Sequence, residues 1–431
     1  MKYFGTDGIR GKFGEFPITE KFFKHLGASI KTTFPDLKKI IIGCDTRYSG
    51  ELLLQALLEG LPTNIHIVNL GIVSSPILSQ NVVFHSADLG LMITASHNPA
   101  CDNGIKIFDS NGDKISVETE DLIESNIDFE LEHEADIITQ HLQKDVNGVY
   151  SQFDKTYPYK VVIDTANGSS AKFAKKTYKF AETFWIGDQP NGYNINHNCG
   201  SEYPQDLARK VLDVGADFGI AHDGDGDRAL LCDSHGRLLP GEVLLGILAI
   251  DLHQRNLLKN NTIITTQVSN IGLESALAKY GIKTIYANVG DRNVANEMRN
   301  YGCNLGGESS GHIILKDFAP TSDGILTVLC FLDALERMNL SIDDAKDLIP
   351  LYPQKKCNMP VKYKVPLHEL GDVWTDMQMY EKNLGADGKI FVRYSGTEST
   401  LRVVVEAKTE DLTELYFTKV KKTLENCDKI I

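Results

Sequence analysis

The 431-residue sequence has eight cysteines, at positions 44, 101, 199, 232, 303, 330, 357 and 427, but no C-x-x-C pair among them. A zinc ribbon or a dense disulfide framework is therefore excluded, and the cysteines read as reduced thiols. No segment approaches the roughly 18 consecutive apolar residues of a membrane-spanning helix. Asp7 and Arg10 stand where a secretory leader would need its apolar stretch. No Walker-type phosphate loop is spelled anywhere. Basic charge is also short: 44 Lys and Arg against 58 Asp and Glu give a net charge of −14. This excludes nucleic acid as the main partner, because binding its backbone requires a dense cationic surface. These absences predict a soluble, cytoplasmic protein with no membrane or nucleic-acid partner, a monomer or homodimer acting on a small molecule. An anionic ligand would have to be met by local basic clusters.

What the chain does have is a threefold internal repetition. Lys39–Thr46, Lys160–Thr165 and Thr262–Thr266 are similar buried-strand runs, each leading through polar or glycine residues into a helix-like segment. A second strand follows at Ile65–Val68, Thr183–Ile186 and Lys283–Tyr286, and a third at Ala87–Gly90, Ala216–Gly219 and Cys303–Gly306. Strands alternating with helices predict βαβ units with sheets covered on both faces. The expected architecture is α/β: three similar α/β domains with mixed sheets and a small C-terminal α+β domain around a central cleft. The expected boundaries are 1–150, 151–250, 251–355 and 356–431. Glu118 to Gln143 is acidic and reads as an exposed helical stretch, and Leu348–Pro353 as a linker.

Each third strand runs into a polar loop. The first is Thr94-Ala95-Ser96-His97-Asn98-Pro99, the second His222-Asp223-Gly224-Asp225-Gly226-Asp227-Arg228, and the third Gly307-Glu308-Ser309-Ser310-Gly311-His312. Ligand sites gather at the carboxyl ends of strands in open α/β sheets, so convergence of the three loops is expected. The triplet Asp223, Asp225 and Asp227 has glycines that let the carboxylates converge. Two carboxylates about 4 Å apart repel by roughly 4 kcal/mol at an effective dielectric near 20. A hard cation removes that cost, and carboxylate oxygens with open positions suit Mg²⁺. An EF-hand reading fails because Arg228 stands where the turn glycine is required and Ser234 at the acidic twelfth position.

Gly307-x-Ser309-x-Gly311 also matches the spelling of a hydrolase nucleophile elbow. Against it, only His312 and His368 lie downstream, and no oxyanion motif is evident. Glu308 and Ser310 suit vicinal sugar hydroxyls better. Near the C-terminus, Arg393-Tyr394-Ser395-Gly396-Thr397-Glu398, with Arg402 following, reads as an anion cradle of guanidinium forks, hydroxyls and glycine-freed backbone. At the other end, Gly5-Thr6-Asp7-Gly8-Ile9-Arg10-Gly11 is a glycine-rich loop with one arginine.

With these motifs in this order along the whole chain, the sequence closely resembles the α-D-phosphohexomutase superfamily, and most of all its branch acting on glucosamine phosphates. Asp102-Asn103-Gly104-Ile105-Lys106 extends the first loop in the same sense. The resemblance implies four domains around a cleft, with Ser96 as phosphoserine and one Mg²⁺ held by Asp223, Asp225, Asp227 and the Ser96 phosphate. It implies that Lys106 and His97 handle the proton of the sugar hydroxyl and that Arg10 and Arg228 stabilise the transferring phosphoryl group. Glu308, Ser310 and His312 would meet the sugar, and Arg393, Ser395, Gly396, Thr397 and Arg402 the phosphate that is not transferring. The implied reaction is the isomerisation of D-glucosamine 6-phosphate to D-glucosamine 1-phosphate through a glucosamine 1,6-bisphosphate. That bisphosphate serves as both intermediate and activator, on the way to UDP-N-acetylglucosamine and cell wall. Phosphoglucomutases and phosphomannomutases would use the same machinery on glucose or mannose phosphates. The sequence departs from the family pattern at Ser399 (usually proline), Ser309 (often glutamine) and Thr94 (often serine).

Overall fold

A computed structural model describes residues 2–62, 64–130, 140–142 (backbone only), 148–395 and 399–427. The first domain contains β1 (Ile9–Lys12), α1 (Glu20–Thr33), β2 (Lys39–Cys44), α2 (Gly50–Glu59), β3 (His66–Ile72), α3 (Ser75–Phe84), β4 (Leu89–Ile93), β5 (Asp102–Phe108), α4 (Val117–Ser125) and β6 (Gln140–Leu142). The second comprises β7 (Tyr157–Asp164), α5 (Ala171–Thr177), β8 (Phe180–Ile186), α6 (Gln205–Val214), β9 (Phe218–His222), β10 (Ala229–Asp233) and β11 (Leu238–Leu239). In the third are α7 (Gly241–Gln254), β12 (Thr262–Thr266), α8 (Ile271–Ala278), β13 (Lys283–Ala287), α9 (Asp291–Tyr301), β14 (Leu305–Gly307), β15 (Ile313–Leu315), α10 (Gly324–Met338) and α11 (Ile342–Leu348). The last is built of β16 (Gln354–Pro360), α12 (Asp372–Leu384), β17 (Gly388–Tyr394), β18 (Thr400–Ala407) and α13 (Glu410–Glu425).

The threefold repeat is visible in the pairing. In the first sheet β2 lies parallel between β3 and β4, in the second β7 between β8 and β9, and in the third β12 between β13 and β14. The strand after each third strand returns antiparallel beside it: β5 on β4, β10 on β9, β15 on β14. The three polar loops are thus the same hairpin connection in three copies. The fourth sheet is antiparallel, in the order β16-β18-β17.

α7 and α10 are apolar on nearly every face and are buried along most of their length. A helix with no polar face has to lie inside, and these two pack on each other. One apolar cluster runs from Val73 and Ile77 through Phe218 and Leu244 to Leu329 and Ile349, joining the first three domains. The last domain keeps a cluster of its own, centred on Leu401, Val403, Val405 and Val420.

Two expectations change. Among the described residues the stretch Glu118–Gln143 is helical to Ser125, and Gln140–Leu142 pairs parallel with β3. Residues 131–139 and 143 of that stretch lie outside the described residues. Nor is its helix fully exposed: Glu120 is buried and takes both guanidinium ends of Arg292 from the third domain. The expected 250/251 division falls inside α7, whose neighbours are α8, α10 and β14.

Candidate active site

Ser96 ends the first domain's β4 hairpin in a left-handed conformation, φ 50°, a strained state for a residue with a Cβ. A network of fully buried groups holds it there. Asp45, one residue past β2, accepts from Arg47 Nε at 2.9 Å and from Thr94 Oγ1 at 2.6 Å. The Thr94 hydroxyl in turn accepts the Ser96 N–H at 2.9 Å. Arg47 then spreads its guanidinium over four carbonyls of the loop: Ser96 at 2.9 Å, Asn98 at 2.8 Å, Asp102 at 2.9 Å and Pro99. From the second domain, Asn196 Nδ2 donates to the Ser96 and Asn98 carbonyls at 2.8 and 2.9 Å. Gly224 closes in on the same carbonyl; a Cβ there would lie 2.6 Å from Ser96 O and 2.8 Å from Asn196 Nδ2. The serine is thereby aimed, and its Oγ donates to Asp223 Oδ2 at 2.9 Å.

The second loop does curl. Gly226 takes φ 73°, and ligand oxygens of Asp223, Asp225 and Asp227 lie within 4.8 Å of one another in a fully buried cluster. Lys106, projecting from β5, places Nζ 2.7 Å from Asp225 Oδ2, 2.8 Å from Asp227 Oδ2 and 3.2 Å from Asp7 Oδ2. Burial works against the charges of this group. Even so, Lys106 beside three carboxylates is held well above the ordinary lysine range. Asp227 is held well below the carboxylate range by Lys106 and His312. Asp223 has no lysine partner, and burial next to Asp227 and Asp225 pushes it far up. As paired here, Lys106 balances the charge of the three carboxylates. Among the described residues Asp225 Oδ1 is buried with no hydrogen-bond donor. A buried carboxylate oxygen in that state is costly, and this oxygen beside two further carboxylates is a donor set that fits a hard divalent cation.

Arg228 closes the ring by bridging all three loops. Its Nη2 is 2.7 Å from His97 Nδ1, its Nε 3.2 Å from His312 Nε2, and its Nη1 bonds Glu202. Burial and the neighbouring Arg228 and Arg10 charges push the His97 imidazole down to about 3, so it is neutral, with Nδ1 3.4 Å from Ser96 Oγ. His312 is opposed by burial, but Asp227 at 3.0 Å and Glu308 at 3.1 Å hold it up to about 10. The third loop is a tight hairpin between β14 and β15, not the strand-to-helix elbow of a hydrolase. Ser310 Oγ contacts His312 Nδ1 at 3.2 Å. α7 seats this loop: Gly241 N donates to Ser309 O, and a Cβ on Gly241 would meet Glu308 O at 2.0 Å.

Arg10, His97, Arg228, Glu308, Ser310 and His312 line one cleft of ≈250 Å³. Ser96, Lys106, Asp223, Asp225 and Asp227 are buried and do not line it; they meet it through His97, whose Nδ1 is 3.4 Å from Ser96 Oγ, and through Arg228 and His312, which contact Asp223 and Asp227. In the fourth domain, Arg393 and Arg402 are cross-strand partners on β17 and β18, and Arg402 Nη2 is 3.4 Å from Ser395 Oγ. Burial and the Arg402 charge push Arg393 down. These residues do not line the cleft among the described residues, and Gly396 and Thr397 lie outside them.

Asp7, quoted only as part of the glycine-rich loop, pairs with Arg10, Lys106 and Lys114, and Lys114, which no motif contains, reaches Asp291 at 2.6 Å, tying the first and third domains together at the cleft. Other contributors also escape the motifs. Of the Asp45–Arg47 pair, Asp45 carries a usable signal: Asp45-Thr46 and Asp164-Thr165 both terminate the first strand of their repeat. Asn196 and Glu202 sit on a long loop with no regular pattern.

Comparison with known proteins agrees with this geometry. The chain matches the four domain models of phosphoglucomutase/phosphomannomutase: alpha/beta/alpha domain I over residues 1–134, domain II over 139–236, domain III over 240–352, and the C-terminal domain over 355–422. It is 38% identical to a phosphoglucosamine mutase of Staphylococcus aureus, over 99% of this chain and 98% of that one. It is 40% identical to that of Nautilia profundicola, over 98% of each. A phosphoglucomutase/phosphomannomutase family protein from Burkholderia thailandensis has the same fold, with TM-score 0.81 and 21% identity over 98% of this chain and 97% of that one. So has Aspergillus fumigatus N-acetylphosphoglucosamine mutase in complex with GlcNAc-6P and magnesium, with TM-score 0.67 and 16% identity over 99% and 96%. Three copies of one hairpin, bound together across the domains by Arg228, thus belong to a chain that is a member of the phosphoglucomutase/phosphomannomutase family, the α-D-phosphohexomutases.

Proposed function

We propose that this chain interconverts D-glucosamine 6-phosphate and D-glucosamine 1-phosphate, with Ser96 as the phosphate carrier. The observation that carries the reading is the Ser96 hydroxyl held on Asp223 and next to His97, which lines a cleft walled by the sugar-type loop Glu308–His312. The phosphoryl group on Ser96 passes to the free hydroxyl of the bound sugar phosphate: the Ser96 Oγ–P bond breaks as the sugar O–P bond forms. The hydroxyl proton is taken up on the enzyme, and Ser96 leaves as the alkoxide to be reprotonated. The glucosamine 1,6-bisphosphate turns end for end, and its other phosphoryl group returns to Ser96. Charge stabilisation and alignment are what phosphoryl transfer chiefly requires. Arg228 and Arg10 face the cleft for the first task, and the Arg47–Asp45 network serves the second by fixing Oγ.

His97 is the acceptor the geometry favours for the hydroxyl proton, since it is neutral and lines the cleft. Phosphate on Ser96 would raise its proton affinity. Lys106 supplies counter-charge beside it. Asp223, Asp225 and Asp227, with the Ser96 phosphate, would hold Mg²⁺, which neutralises charge on the phosphoryl group when bound. Glu308 and Ser310 would grip the sugar hydroxyls. Arg393, Ser395, Gly396, Thr397 and Arg402 would hold the other phosphate once the fourth domain closes on the cleft.

The test is turnover of glucosamine, glucose and mannose phosphates side by side, with a trace of bisphosphate and Mg²⁺. The reading expects glucosamine phosphate to have the highest kcat/KM. If it is the poorest of the three, the chain is a phosphoglucomutase or phosphomannomutase with the same mechanism.

A further inference from the structure

The cleft adjoins a second polar cavity of ≈360 Å³, and the two share Val268, Ser309 and Ser310. A hexosamine differs from a hexose by one ammonium at C2, so selectivity for it requires negative charge that the protein has not already spent. The carboxylates on the two cavities differ in this respect. Asp7 carries three cationic partners, and Asp291 takes Lys114 and the Arg292 N–H. Glu308 accepts from the Gly290 N–H on one oxygen and faces His312 with the other. Glu242 is 4% exposed and turned into the protein, where it caps the Asn270 N–H. Glu202 alone is open. Its side chain is 42% exposed, one oxygen bonds Arg228 Nη1, and the other has no hydrogen bond among the described residues.

Resting on the reading above, we propose that Glu202 is the residue that selects amino sugars, its carboxylate taking the C2 ammonium of a sugar held on Ser310 and Glu308. The position suits a second task as well. Unpaired, the Arg228 guanidinium would repel an ammonium arriving at the sugar loop; Glu202, bonded to Arg228 Nη1, offsets that charge. A charge-assisted hydrogen bond at a partly desolvated site is the kind of contact whose loss changes substrate preference by about 10-fold or more.

Glu202→Gln keeps the shape and removes the charge. Because it also disturbs Arg228, the readout is a ratio: kcat/KM for glucosamine phosphate over that for glucose phosphate, in which any general effect on phosphoryl transfer cancels. The sugar turns end for end, so C2 meets Glu202 in one orientation, and both the 1- and 6-phosphates are assayed. The proposal expects the ratio to fall about 10-fold or more for at least one of them, with unchanged melting temperature and partial recovery in Glu202→Asp. An unchanged ratio for both, or equal losses on both sugars, overturns it and leaves Glu202 as a partner of Arg228 alone. Wild-type enzyme that prefers glucose phosphate instead defeats the glucosamine reading itself, a result separate from the behaviour of the variant.

Discussion

On the proposed reading the serine and aspartate loops and the C-terminal arginine cradle both bind phosphate, yet they are built in opposite ways. The first two are embedded in three domains that share one apolar core. The cradle stands on a three-stranded sheet with its own core. The joint between the third and fourth domains is polar. Lys389 Nζ donates to Ser269 O at 2.8 Å, and Glu406 accepts the Ile271 N–H at 3.2 Å and lies 3.6 Å from Lys389. Apolar contact over a wide face resists relative motion, whereas a narrow polar joint permits it. On the proposed reading, this contrast matches fixed alignment to the chemistry and mobility to the hold on the distal phosphate, and an intermediate that turns end for end would need both.

The largest expected effect tests the fixed part. Asp225→Asn, or chelation of the wild type, should lower kcat by roughly 10³-fold; Mg²⁺ restores the chelated enzyme and not the variant, as steady-state assays will show. Next, Arg47→Ala leaves Asp45 buried without its cation and frees the Ser96 loop. Chemical denaturation should show a loss of about 3 kcal/mol, and kcat should fall about 10²-fold through misalignment. If kcat survives, the rigid frame is not what aims the serine. On the mobile side, Arg393→Ala should raise KM about 10-fold with an unchanged melting temperature. Solution scattering should show the wild type contracting when a sugar bisphosphate binds; identical curves would remove the mobility from the comparison.

The last effect is a pH slope. His222 is buried between Tyr178 and the Arg228 carbonyl, both at 2.9 Å, and burial pushes it down to about 4. Its folded value lies below the unfolded one near 6.5, so the unfolded chain binds the extra proton. Its contribution is complete above pH 6.5 and is lost as pH falls toward 4, by up to about 3 kcal/mol. In urea titrations over that range, His222→Gln should show a shallower fall in the stability of the three-domain unit than the wild type.

The repeat, the three loops and the aspartate triplet were legible because strands and glycine-carboxylate turns are local signals. α7 was divided wrongly because an all-apolar helix has no periodicity to mark its start. The Glu118–Gln143 stretch misled because acidic residues suggested a solvated helix, while Glu120 is paid for by Arg292, 172 residues away. Asn196 lies 100 residues from the carbonyl it grips, and Arg228 meets His312 across 84. Such contacts depend on how the domains dock, which no local pattern encodes. Arg47 stands two residues past Asp45 on no repeated motif, and its grip on the Ser96 loop carbonyls, 49 to 55 residues away, follows only from the folded chain.

The central claim is that Ser96 carries phosphate. Protein incubated with a hexose 1,6-bisphosphate and Mg²⁺ is measured by intact mass and by phosphopeptide mapping, for wild type and Ser96→Ala. One phosphoryl group is expected, on the peptide containing Ser96, and none on the variant. A phosphoryl adduct of equal occupancy that persists in Ser96→Ala would contradict it.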